Sequence, residues 1–520
     1  MPSYRHRDLF GLRLPLAAAG AAAAALLGTP GAAPGAPVED SFENATISVA
    51  DAEADAGDGW RASNAALDSA VRASGERSLR LDGTDAGARA LRRVPAEGFR
   101  GNRVRLRALV RTEGAAAGAV ALLLRVDGPS GLLYFDRVRG PSGTTGWTAY
   151  TAEAPLFPET AAITFGALLD GAGTVWIDDV VLEDRDTRDL PEPSPAARRY
   201  LERALAIMRE HALVRASVDW PRLSALANEQ LRGAQTAADA HLAVSYALRL
   251  LGDDHSYLST AAQARALAAA PVSNARTGRR PLEPRTELLP GRVGYLWLPG
   301  FAGGRPEHQV AFGDRVQAAI AELEAAGSCG FVVDLRDNRG GNLWPMLIGV
   351  GPLLGEGVLG ASHFPDGRRT ELSYVSGQAR YGEWTQLRVS GEPLRLRAPE
   401  PPIAVLIGRG TASSAEVLAA GFRGKPNVRS FGTATQGVST GTRNFELSDG
   451  AELVLAVAAT SDRTGTIWNG PLVPDVIVAA ERGIESERPL PAQPVVRAAL
   501  DWLAAQPACA SAAGQELDAF

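Results

Sequence analysis

The apolar residues change their period twice along this chain, and no single layer of secondary structure can serve all three patterns. Up to about residue 185 they alternate in short runs: "RLRALVRTE" (105–113), "AVALLLRVDG" (119–128) and "TVWIDDVVLED" (174–184). Clusters of Gly, Pro, Ser and Thr separate them. A period of two broken by turn residues predicts an all-β sandwich. The Pro-rich "TRDLPEPSPAA" (187–197) then reads as a linker. After it the spacing becomes helical in "AARRYLERALAIMREHAL" (196–213), "WPRLSALANEQLRG" and "TAADAHLAVSYALRLLG", which predicts a small helical bundle ending near 252. From 292 short apolar runs ("RVGYLWLP", "GFVVDL", "IAVLIG", "VRSFG", "AELVLAVAA") alternate with helical patterns ("FGDRVQAAIAELEAAG", "SAEVLAAGF"), the signature of α/β layers. Polar, alternating residues 361–400 predict a β-rich insertion. A chain of 520 residues needs more than one core. The expected order is a leader at 1–38, a sandwich at 40–185, a helical part at 190–270 and an α/β core at 285–490.

The net charge of −6 gives no overall basic footprint, so no nucleic-acid partner is expected. Arginine carries nearly all the positive charge, and the chain has one lysine, Lys425. Arg5, Arg7 and Arg13 accompany "LPLAAAGAAAAALLG" (14–28), and small residues follow. This reads as a cleavable export signal, since the apolar stretch is short for a membrane span. The expected location is therefore periplasmic, cell-surface or extracellular. Two cysteines, Cys329 and Cys509, do not indicate a disulfide framework. Trp60, Trp147 and Trp176 are expected in core packing rather than as platforms for sugars.

Three stretches carry candidate chemistry. "TASSAE" (411–416) follows an apolar run and precedes a helical one. A Ser or Thr with Glu three residues on is also what a capping box needs. "LLGDDHSYL" (250–258) places His255 just past a helix end, and "VVDLRDNRGGN" (332–342) runs a strand into a turn with paired glycines. Each taken singly has a structural reading. No metal-ligand spacing and no phosphate-binding loop is present, so no cofactor or metal is expected.

Taken together, Gly-x-Asp-His, then Asp-Leu-Arg-x-Asn-x-Gly-Gly, then Ala-Ser-x-x-Glu resembles the C-terminal processing (tail-specific) serine peptidases and their tricorn-core relatives over roughly residues 195–485. Too few residues lie between "DDHSYL" and "RVGYLWLPGF" for a PDZ module, which resembles the PDZ-less nisin-resistance branch. The sandwich pattern resembles jelly-roll, carbohydrate-module-like domains. The resemblance implies an α/β (ClpP/crotonase-like) peptidase core, with 361–400 as a cap over the groove. It implies Ser413 as nucleophile, with an oxyanion hole from Gly340, Gly341 and the Ser414 amide. Asn342, Leu343 and Trp344 would line the substrate cleft. The position of the family's dyad lysine is Val438, so the base would be His255, as in the histidine-using branch. That branch's orienting glutamate corresponds to Trp468, which leaves Asp462, Asp254 or no third residue. Two functions follow. One is an exported serine endopeptidase acting on peptides or protein tails. The other is a catalytically degenerate binding protein, with a sandwich that holds a glycan or cell-surface partner.

Overall fold

The computed structural model describes residues 37–43, 47–48, 59–84, 87–129, 131–269, 283–479 and 489–510. The apolar leader at 14–28 lies outside them. Twelve strands form two facing sheets at the N-terminal end. The first orders β10 (Gly143–Pro155), β7 (Arg103–Ala115), β12 (Thr174–Arg185), β5 (Ser78–Asp82) and β4 (Ala65–Asp68), with β1 (Val38–Asp40) beside β12. The second orders β2 (Ile47–Ser48), β3 (Trp60–Ser63), β6 (Ala88–Pro95), β11 (Ala162–Leu169), β8 (Val120–Gly128) and β9 (Gly131–Arg139). Alternate residues such as Val104, Leu106, Leu122 and Leu124 fill the space between them, as a pleated, half-buried surface requires. Trp60 and Trp176 are buried, and their indole N–H groups donate to Asp40 and Asp68. Trp147 is half-buried.

The helical part comprises α1 (Pro195–His211), α2 (Trp220–Leu231), α3 (His241–Leu251) and α4 (Ala261–Ala269). It is fastened to the sandwich. Tyr246 of α3 is buried in the sandwich core and stacks on Phe157, with ring centroids 4.7 Å apart. Arg103 donates to the Gln230 carbonyl, and Gln230 Nε2 donates to the Asn102 carbonyl at 2.8 Å. The Pro-rich segment is no loose tether. Gly233 donates to Pro191 O (2.7 Å) and Ser194 to Ala234 O (2.9 Å), which bind it along the end of α2.

In the α/β core one sheet orders β14 (Arg285–Leu289), β15 (Val293–Trp297), β16 (Gly330–Asp334), β21 (Ile403–Ile407), β22 (Val428–Gly432) and β26 (Val476–Ile477), all parallel but for the β14 edge. Helices α5 (Pro306–Ala325), α6 (Leu343–Leu354) and α7 (Ser414–Phe422) cover one face, and α8 (Pro494–Ala504) covers the other. Burial on both faces explains why these strands read as continuous apolar runs. Cys329, just before β16, is disulfide-bonded to Cys509, just after α8. This corrects the reading that no disulfide is indicated, for α8 folds back and brings the two Cα atoms to 5.0 Å.

A fourth sheet is organised by the eleven-residue β24 (Glu452–Asp462). On it pair β13 (Tyr257–Ser259), β17 (Gly357–His363), β23 (Gly441–Glu446) and β25 (Ile467–Trp468). Beyond β17 the sheet continues as a meander of β18 (Arg369–Val375), β19 (Gln378–Tyr381) and β20 (Trp384–Arg388). This is the segment expected as a cap. Its buried Leu372, Tyr374 and Ala379 pack in the core cluster that includes α6 rather than standing apart from the core, and Tyr381 lies 6.2 Å from Trp344.

Two stability tests follow. Cys329→Ser, or reduction of the intact protein, is expected to cost about 2–4 kcal/mol in denaturant unfolding; an unchanged midpoint would refute a stabilising cross-link. A fragment beginning at residue 190 is expected to melt lower than the intact chain and to bind a hydrophobic dye, because Tyr246, Leu226 and Leu250 lose the sandwich surface they pack on; equal melting temperatures would show that the sandwich is separable.

Candidate active site

Strand β21 delivers the nucleophile turn. Thr411 Oγ1 donates to Leu335 O (2.8 Å) and accepts from the Gly408 amide (3.0 Å), while Ala412 N donates to Asn338 O (3.1 Å). The turn is thus tied to the loop after β16. Ser413 has φ 54° and ψ −123°, a conformation rare for a residue with a Cβ. Such backbone persists only where its surroundings hold it. The holding group is Glu416, fully buried, whose Oε2 accepts from the Ser413 amide at 2.9 Å. The Ser413 carbonyl in turn accepts from the Glu416 amide at 2.8 Å.

The Ser413 hydroxyl engages His255, whose Nε2 lies 3.0 Å from Oγ, across 158 residues of sequence. Gly252 (φ 75°) ends α3, and Asp253 Oδ1 caps the next turn by accepting from the His255 (3.0 Å) and Ser256 (2.8 Å) amides. On the far side of the ring, Nδ1 is 2.7 Å from Thr440 Oγ1. His255 leads into β13 and Thr440 into β23, and these strands flank β24 on opposite edges. Thr440 Oγ1 can accept from Nδ1–H, the tautomer in which Nε2 is free to accept from Ser413 Oγ. Burial pushes the imidazole pKa below its ordinary 6.5, and Asp253 and the Thr440 main chain pull it back less.

The glycine pair closes the third side. Gly340 has φ 83°, and a Cβ there would stand 2.6 Å from Ala412 O and 2.9 Å from Ser413 Cβ. Gly341 has φ 110°, and a Cβ would meet Phe301 O at 2.1 Å. Both positions exclude any side chain. Their roles differ from the expectation, however. The Gly340 amide donates to Asn338 Oδ1 at 2.9 Å, so it is already used. The amides of Gly341 and Ser414 have no hydrogen-bond partner among the described residues, and Ser414 N stands at the first turn of α7, where developing negative charge is favoured. Ser414 also fastens the two segments, since its Oγ donates to Gly341 O at 2.6 Å. Asn342 caps α6 by accepting from Trp344 N at 3.1 Å, and Leu343 and Trp344 are half-buried beside it.

Neither aspartate expected behind His255 is there. Asp254 turns away, mostly exposed, to pair with Arg249. Asp462 is buried and spends its carboxylate on the turn before β25, accepting from the Thr464 and Thr466 amides and from Trp468 Nε1. Lys425 lies beyond the far end of α7 and caps α6, donating to Leu353 O and Leu354 O at 3.2 and 3.3 Å. Sequence reasoning missed Thr440, whose only signal was its place two residues past Val438. It also took Glu416 as a motif marker or capping residue and not as an anchor for the loop to Thr440. Glu416 Oε1 accepts from Thr435 Oγ1 (2.5 Å) and Gly437 N (2.9 Å), and Oε2 from Val438 N (2.9 Å). One carboxylate therefore holds both the nucleophile turn and the loop leading to Thr440. Among the described residues no cluster of three His, Cys, Asp or Glu side chains could hold a metal ion.

Comparison with known proteins gives this geometry its context. Residues 292–478 match peptidase family S41, a span that contains Ser413 and both glycines but not His255. The chain is 28% identical to the nisin-resistance protein of Lactococcus lactis subsp. lactis over 283 residues, which is 54% of this chain and 83% of that protein. It is 30% identical over 217 residues to a carboxyl-terminal-processing protease of Synechocystis sp., covering 41% of this chain but only 44% of that relative's length. Among solved structures, a lipoprotein from Streptococcus agalactiae matches with a TM-score of 0.48 and 22% identity over 60% of this chain and 96% of that one. This chain is a multi-domain protein with a strand-rich N-terminal region and, C-terminal to it, a domain similar to peptidase family S41.

Proposed function

We propose that the chain is a serine peptidase that hydrolyses peptide bonds by attack of Ser413, with His255 as general base. The observation that carries this is the 3.0 Å approach of His255 Nε2 to Ser413 Oγ. A serine hydroxyl gains nucleophilicity only when a base takes its proton. In this mechanism Ser413 Oγ adds to the scissile carbonyl as its proton passes to His255. The amides of Gly341 and Ser414 receive the oxyanion. The imidazolium then gives its proton to the departing amine, and water repeats the sequence on the acyl-enzyme. Thr440 keeps the ring oriented without adding a charge behind it. The substrate class is peptides or protein tails, as the names of the relatives suggest.

Export is part of the proposal. The Cys329–Cys509 bond is of a kind that persists in oxidising compartments, and the basic, apolar N-terminal sequence fits a leader. The alternative of a degenerate binder has a direct test. A fluorophosphonate is expected to label Ser413 covalently in the intact protein, and no labelling would leave a binding protein.

Ser413→Ala and His255→Ala are each expected to lower kcat/KM by at least about 10⁴-fold, because nucleophile and base act as a unit. Activity should rise with pH through one step. The base works only when neutral and its pKa is lowered, so the midpoint should lie below the ordinary histidine value. A midpoint in the lysine range would exclude His255 as base. Thr440→Val should cost about tenfold in kcat, the worth of one orienting hydrogen bond, with Thr440→Ser restoring most of it; equal activity of the valine and wild-type enzymes would refute the assignment.

A further inference from the structure

Helix α3 stops at Gly252, and three residues later the chain presents an imidazole to Ser413. Asp254, between them, has φ 54°, a left-handed conformation that aspartate tolerates better than most residues with a Cβ. Such a turn needs a brace, and Asp253 supplies it with both carboxylate oxygens. Oδ1 accepts from the amides of His255 and Ser256, and Oδ2 accepts from Ser256 Oγ at 2.6 Å. Ser256 Oγ in turn accepts from the Ala456 amide at 2.9 Å, within β24. The chain Asp253–Ser256–Ala456 thus pins the histidine turn to the same strand on which β23, the strand after Thr440, also pairs.

An imidazole that takes the Ser413 proton becomes a cation in a half-buried place, where a countercharge counts for more than it does in water. Among the described residues the charged groups around the ring are few. Arg249, near the end of α3, pairs with Asp254, which is mostly exposed. From the β23 side comes Thr440 and from α7 comes Ser413, neither of them charged. Glu416, behind the α7 turn, has both oxygens taken by Ser413, Thr435, Gly437 and Val438. β13 brings Tyr257, and Glu452 of β24 lies opposite Ser259 at the far end of that pairing. The Asp253 carboxylate is the charge that acts on the ring, favouring the cation against the larger, opposing effect of burial.

We propose that Asp253 is the acid of this site: a positioning residue that fixes His255 to β24 through Ser256 and supplies, from the turn, the countercharge that Thr440, behind the ring, does not. The inference rests on the reading of His255 as general base. A carboxylate behind the ring would orient it and balance its charge with one hydrogen bond. Here the two tasks are divided, with the orienting bond at Thr440 and the charge at Asp253.

Two readouts in the intact protein test this. One is the NMR titration of His255 in histidine-labelled protein, its signal identified by its loss in His255→Ala. The other is the rate at which a fluorophosphonate modifies Ser413, followed against pH. Asp253→Asn keeps an oxygen for the two amides and removes the charge. It is expected to lower the His255 midpoint in both profiles by at least about half a pH unit, because the neutral ring is then favoured further. It should also slow modification on the alkaline plateau by at least about fivefold, because the imidazolium formed during attack has lost its countercharge. Ser256→Ala removes the tether but no charge, and should slow the plateau with the midpoint unmoved. Asp254→Asn, whose charge Arg249 matches, should change neither. Asp253→Glu restores the charge on a longer arm, and should return the midpoint but not the plateau rate; it is the variant read if Asp253→Asn does not fold. An unmoved midpoint in Asp253→Asn, a wild-type plateau in Asp253→Asn, Asp253→Glu or Ser256→Ala, or an equal shift in Asp254→Asn would each overturn the proposal. If the wild-type protein takes no label, the peptidase reading falls instead, and the NMR midpoint alone decides whether Asp253 governs the charge on His255.

Discussion

A carboxylate with no exposed surface is costly to bury unless its oxygens find donors, and Glu416 finds four. It accepts from the Ser413 amide on one side and from Thr435 Oγ1, Gly437 N and Val438 N on the other. Were any of these lost, the desolvation of the carboxylate would go uncompensated. The turn that presents the nucleophile and the loop that ends at Thr440 are therefore held as one body. The strained backbone at Ser413 is stable for the same reason: the group that would relax is fixed by bonds on both flanks.

The second constraint is β24, which both β13 and β23 flank. His255 and Thr440 are anchored on opposite edges of one long buried strand, so the spacing between them is set by strand pairing rather than by loop length. Helix α3 brings His255 to this strand, and α3 is itself wedged by Tyr246 into the sandwich core. The N-terminal sandwich thus belongs to the scaffold of the site.

Periodicity alone was enough to read the succession of strands, helices and α/β layers, because each architecture buries one stripe and the stripe repeats in sequence. Ser413, His255 and the glycine pair were singled out only by the resemblance of three motifs taken together, since each motif alone also reads as a cap, a loop or a turn. What stood behind His255 was not legible. Asp254 and Asp462 were the acids weighed for that place, but one faces solvent and the other is consumed by its own turn. Thr440 takes the place because β13 and β23 pair with the same strand, a contact spanning 185 residues. The Cys329–Cys509 bond has the same origin. It depends on which strand or helix lies beside which, and pairing partners distant in sequence are chosen by burial across the whole core, not by any neighbour along the chain.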